Sequence, residues 1–71
     1  MNKGIPLAVG MRIEYWYNEE YGWCEGTTVS CDKIGDEVVL WAVKFDDGST
    51  EKLQLNVLNK ARWRILRVEG L

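Results

Sequence analysis

Histidine is absent from this chain, and proline and phenylalanine occur once each. Without histidine, the commonest general base and the commonest imidazole metal ligand are both missing. Cys24 and Cys31 are the only thiols, and two thiols alone do not fill a tetrahedral zinc site. No serine–base pair, phosphate loop or metal-ligand cluster stands in for them, so the sequence points away from an enzyme and toward a module with no cofactor and no metal. No apolar run approaches 18 residues and no secretory leader is recognisable, so neither a membrane nor secretion is expected. The chain of 71 residues sets a further bound. One domain of this size buries only about 60% of its unfolded surface, so its core is thin. A deep catalytic cleft of the ~300–1,000 Å³ typical of ligand pockets is not expected in it. Function is expected in a shallow surface site.

What the chain does contain is acid in the middle and base at the end. Residues 14–51 hold ten acidic side chains against Lys33 and Lys44, although the net charge is only −2. From Lys52 onward, five bases face Glu69 alone. The acidic middle repels phosphate and attracts basic peptides. The basic series Lys60, Arg62, Arg64 and Arg67, with Trp16 as a stacking platform, keeps nucleic acid open as a secondary partner.

Period-two alternation dominates, and helical periodicity is almost absent. "MRIEYWY" (11–17) puts Met11, Ile13, Tyr15 and Tyr17 on one face of a strand. A second strand is expected over 23–32, interrupted by Gly26, which reads as a bulge or sharp bend. Further strands are expected near 38–45, 49–55 and 63–68, with one helical turn over 56–61 before the last. Ile13, Tyr15, Val43, Leu53 and Ile65 are the expected core, joined by Trp63 and Trp41. Residues 1–9 read as an arm and residues 10–69 as a five-stranded antiparallel all-β barrel, whose closure would remove exposed strand edges. Cys24 and Cys31 lie an odd number of residues apart, which on one regular strand puts them on opposite faces as free thiols. The chain stops three residues after its last expected strand, as an excised module would.

"KFDDGST" (44–50) joins the third and fourth strands. Asp47-Gly48 fits a two-residue type I′ turn, in which both central residues take positive φ. Beside Phe45, the carboxylates of Asp46 and Asp47 also suit the rim of a pocket for a cation.

The order Gly10 and Ile13, Trp16-Tyr17, Trp23-Cys24-Glu25-Gly26, Phe45-Asp46-Asp47-Gly48, Glu51-Lys52-Leu53-Gln54-Leu55 and Arg62-Trp63 resembles the Tudor-like domains of chromatin proteins. These belong to the Royal family, and the closest kind occurs in plant and protist proteins, the cohesin-associated group included. The resemblance covers about residues 9–67. It implies a monomeric, nuclear, SH3-like barrel that reads methylated lysine or arginine on a basic protein tail, histone tails among them. Carried onto this chain, it implies an aromatic cage at Tyr17, Cys24 and Phe45, with Asp46 or Asp47 at the rim. Cys24 stands where the family usually has a tyrosine wall, which makes the cage partial. Trp23 or Tyr21 is then the substitute wall, Trp23 lying one residue out of phase. A methylated ammonium is a weakly hydrated cation, stabilised by about 0.5–2 kcal/mol over each aromatic face. A nearby carboxylate can accept the N–H that a lower methylation state retains. The alternatives are a nucleic-acid-binding barrel and a protein-interaction barrel without methyl recognition.

Overall fold

The computed structural model describes residues 7–68. Five strands follow the alternation closely: β1 (Met11–Trp16), β2 (Trp23–Ile34), β3 (Glu37–Phe45), β4 (Thr50–Leu53) and β5 (Trp63–Val68). They form one open antiparallel sheet in the order β4-β3-β2-β1-β5. The ladder of a closed barrel is not formed among the described residues, because β4 and β5 are the two free edges of the sheet. Residues 54–62 connect these edges through a 3-10 helix, Val57–Arg62. That helix starts where Asn56 accepts hydrogen bonds from the backbone of Leu58 and Asn59 while the Asn59 side chain accepts from the Asn56 backbone. This reciprocal cap satisfies N–H groups that a helix start otherwise leaves orphaned.

Although the edges do not pair, both feed one core. Leu53 of β4, Leu55 beyond it, and Trp63 and Ile65 of β5 pack into a single cluster with Ile13, Trp41, Val43 and Phe45. Trp63 is the largest of the fully buried side chains, and its indole N–H donates to the Asn56 carbonyl and to Asn59 Oδ1. Of the expected core, Ile13 and Val43 are fully buried, whereas Tyr15, Leu53 and Ile65 sit at its margin. Phe45 and Leu55 take interior places instead.

Three bulges bend the sheet. Register shifts leave Val29 of β2, Val39 of β3 and Leu66 of β5 without an opposite residue. Each such insertion increases the local twist. Gly26, expected to be the bulge, pairs regularly with Ile13 and Phe45. Its role is close approach: a Cβ there would lie 2.8 Å from the Lys44 carbonyl oxygen and 2.8 Å from Val43 Cγ1. The bulge at Val29 also overturns the expectation for the cysteines. One extra residue between them restores the parity, so Cys24 and Cys31, both free, pack against the same core.

Of the expected arm, only residues 7–9 fall among those described; residues 1–6 lie outside them. Leu7 packs on the core, and the Thr28 hydroxyl, fully buried, donates to the Ala8 carbonyl and accepts from the Met11 N–H. No helix among the described residues is long and apolar enough to cross a membrane.

Candidate functional site

Two connections at one end of the sheet build a pocket between them. The first runs from Tyr17 to Gly22. Asn18 organises it: its carbonyl accepts from the Gly22 N–H at 2.7 Å, and its side-chain oxygen accepts from the Tyr21 N–H at 2.8 Å. Gly22, at φ 65°, lets the chain close back so that the Tyr17 N–H meets the Gly22 carbonyl at 2.9 Å. Held this way, the Tyr17 and Tyr21 rings stand edge to face, centroids 6.1 Å apart and planes at 72°. Such pairs hold their geometry better than a single exposed ring does.

The second connection is the β3–β4 hairpin. It is not the two-residue type I′ turn expected at Asp47-Gly48. Only Gly48 has positive φ, at 97°, and the Phe45 carbonyl accepts from the Gly48 N–H while the Phe45 N–H donates to the Ser49 carbonyl. That is the three-residue loop, a turn through Asp46-Asp47 followed by a glycine bulge. Asp47 and Gly48 therefore do not share the turn centre: Asp46 and Asp47 do. Asp47 Oδ1 accepts from the Ser49 N–H at 2.9 Å and from its hydroxyl at 2.7 Å, and these bonds hold the Asp47 carboxyl below the usual range.

Between the two connections lies an open concavity of about 560 Å³. Loop rims rather than the core enclose it, so it is a surface concavity of the expected kind and not a deep cleft. Its aromatic surface comes from Tyr17, Tyr21 and Phe45, with Cys24 beside them. Phe45 is only 6% exposed, so it offers a floor rather than a wall. Cys24 is half-buried, its thiol directed to the Gly22 and Tyr21 carbonyls at 3.7 and 3.9 Å. Glu25, Asp46, Asp47 and Glu51 supply four carboxylates, and no basic side chain among the described residues lines the pocket.

These carboxylates are not equivalent. The Arg12 guanidinium, reaching from β1, grips Asp46 through both oxygens at 2.7 and 2.9 Å and touches Glu25 at 2.9 Å. The Arg12 bonds hold the Asp46 carboxyl below its ordinary range, and the pairing raises the guanidinium well above its own. Asp46 is therefore already paired with a cation inside the protein. Glu51, by contrast, accepts a hydrogen bond from the Tyr17 hydroxyl at 3.0 Å, which raises the Tyr17 pKa.

The structure thus brings together Tyr17, Cys24, Phe45, Asp46 and Asp47 of the expected site, and Tyr21 as the substitute wall. It does not bring Trp23. Trp23 pairs with Trp16 across β1 and β2, on the face opposite Cys24, the two rings meeting edge to face at 5.8 Å. Arg64 lies 3.9 Å above the Trp23 ring and donates to Glu14 at 2.8 Å. Glu25, Ser49 and Glu51 were missed. Glu51 was within reach of sequence reasoning through its strand parity with Leu53 and Leu55, and the observed register sets it opposite Val43 on the core side.

The other basic side chains of the expected phosphate track that are described are engaged within the protein. Arg62 points to the Trp16 and Tyr17 carbonyls, and Lys60 bonds the Trp63 carbonyl while lying 4.7 Å from the Trp63 ring centre. Arg67 lies in β5. No cluster of three or more possible metal-ligating side chains occurs among the described residues.

No protein-family model, curated protein or solved structure matches this chain.

Proposed function

We propose that this chain is a Tudor-like, non-enzymatic reader of a basic protein tail carrying a methylated lysine or arginine, of the histone type, acting on chromatin in the nucleus. The observation that carries this reading is a pocket with two rings set at an angle of 72°, several carboxylates on its rim and, among the described residues, no base on its lining. Aromatic faces and carboxylates attract an alkylated cation by different physical means, quadrupole and charge, and their coincidence in one concavity is the signature of such a ligand. The acidic middle of the chain steers a basic peptide toward the same end. The SH3-like barrel belongs to this proposal too: both sheet edges share one core, and three bulges add local twist to the sheet between them.

Catalysis has no support in the site. Asp46 and Asp47 have lowered pKa values, whereas acid–base work near neutral pH requires raised ones. A nucleic-acid interface along β5 has less support than the pocket, since Arg62, Arg64 and Lys60 are spent on internal partners.

With Cys24 where a third ring would stand, binding is weak, about 100 μM to millimolar. Tyr21→Ala tests the reading, because Tyr21 is 63% exposed and its loss leaves the core intact. Affinity for a methylated peptide falls at least about threefold while thermal stability stays put. Unchanged affinity in this variant refutes the reading.

A further inference from the structure

The pocket accounts for one side chain of a bound tail, and the sheet edge beside it accounts for the backbone. We propose, building on the methylated-tail reading above, that the tail binds as an added antiparallel strand along the free edge of β4, its methylated residue opposite Glu51.

The β3–β4 ladder decides which backbone groups are available. The Phe45 N–H donates to the Ser49 carbonyl at 2.8 Å, so Phe45 and Ser49 form a hydrogen-bonded pair. Such pairs alternate along an antiparallel ladder, which makes Val43–Glu51 and Trp41–Leu53 the next two. The N–H and C=O groups of Thr50 and Lys52 therefore point away from β3, toward the open side of the sheet. Among the described residues these four groups have no hydrogen-bond partner, and both residues are exposed. Donors and acceptors repeating about 7 Å apart along an edge are what an extended peptide pairs with.

Side-chain parity links this edge to the pocket. Glu51 lines the pocket, whereas Lys52 lies on the other side of the sheet, bridged to Asp32 at 2.8 Å. Directly opposite residues of an antiparallel pair share a face. The peptide residue opposite Glu51 therefore sends its side chain into the pocket. Its neighbours at −1 and +1 stand opposite Lys52 and Thr50 and take the four backbone bonds. Proline at either position is excluded, because it has no N–H to donate.

The other free edge, β5, is a poorer template for a basic tail. It carries Arg64 and Arg67, and the bulge at Leu66 interrupts it. Bulges of this kind protect an edge from strand addition. β4 runs against β3 without a register shift, and it begins beside the carboxylates of Asp46 and Asp47. Those charges attract a basic tail to this edge.

The test uses the 71-residue chain and one basic peptide with dimethyllysine at the read position. Three further versions carry unmodified lysine, a methylated backbone nitrogen at −1, or a methylated backbone nitrogen at −2. The −1 N–H is the one that donates to the Lys52 carbonyl, whereas the −2 N–H points away from β4. Each Kd comes from amide shifts followed by NMR. Backbone methylation at −1 weakens binding about five- to tenfold, and at −2 it changes the Kd by less than about twofold. The Thr50 and Lys52 amide protons move downfield as the dimethyllysine peptide is added. Equal losses at −1 and −2, or a larger loss at −2, with the preference for dimethyllysine retained, overturn the added strand and leave the methylated-tail reading standing. A dimethyllysine peptide that binds no better than its unmodified version overturns that reading, and the inference with it.

Discussion

Replacing Gly26 with alanine puts a methyl group where the sheet has no space for one. The new Cβ would lie 2.8 Å from the Lys44 carbonyl oxygen, 2.8 Å from Val43 Cγ1 and 3.1 Å from Phe45 Cα. Two of these neighbours are backbone atoms of β3, which a rotamer change cannot move. Relief requires β2 and β3 to separate at the pair Gly26–Phe45, next to the floor of the pocket. Overpacking of this kind costs about 1–3 kcal/mol, net of the ~0.4–1 kcal/mol that alanine gains by restricting the unfolded chain. A domain of this length has about 4–10 kcal/mol in total. At about 4–8 °C per kcal/mol, the melting temperature drops by roughly 5–20 °C. Thermal unfolding followed by tryptophan fluorescence measures it. A melting temperature within about 3 °C of the parent protein would refute the claim that close approach, rather than backbone freedom, fixes glycine at this position.

Asn56→Ala removes the side-chain oxygen that caps the 3-10 helix and costs about 1 kcal/mol, read as a lowered urea midpoint. Acid stability follows from the lowered pKa values of Asp46 and Asp47. A carboxyl whose pKa is lower in the folded state stabilises it fully above the unfolded pKa, near 3.8, and loses that contribution as pH falls through the folded value. The urea midpoint should therefore hold steady from neutral pH to about pH 5 and fall below about pH 4. Asp47→Asn should flatten that fall, and an unchanged acid limb in this variant would contradict the assignment. Cys24→Tyr places a third ring beside Tyr17 and Tyr21 in a concavity of about 560 Å³, and peptide affinity measured by calorimetry should rise about three- to tenfold.

The strands were legible because each has a buried side, and alternation records it directly. Their boundaries differ from expectation by at most two residues: β2 and β3 extend into their shared turn, and β4 is shorter at both ends. The bulges were not legible: Val29, Val39 and Leu66 are ordinary strand residues, and nothing in their chemistry announces an unpaired position. One of them reverses the faces assigned to Cys24 and Cys31. Asp47-Gly48 carries the chemistry of a two-residue turn, yet Phe45 and Ser49 pair outside it and lengthen the loop to three. Trp23 illustrates the opposite case. Its phase, one residue away from Cys24, already put it on the outer face, where Trp16 and Arg64 hold it. The claim of Arg12 on Asp46 was hidden because the two residues are distant in sequence and meet only once β1, β2 and the hairpin are assembled.

The central claim is that one pocket receives a methylated cation. The direct measurement is a pair of amide-shift titrations with peptides identical except for dimethylation of one lysine. The account predicts that the dimethylated peptide shifts residues 17–25 and 45–51 well beyond what the unmodified peptide does. Equal shifts from both peptides, or shifts confined to residues 60–67, would contradict it.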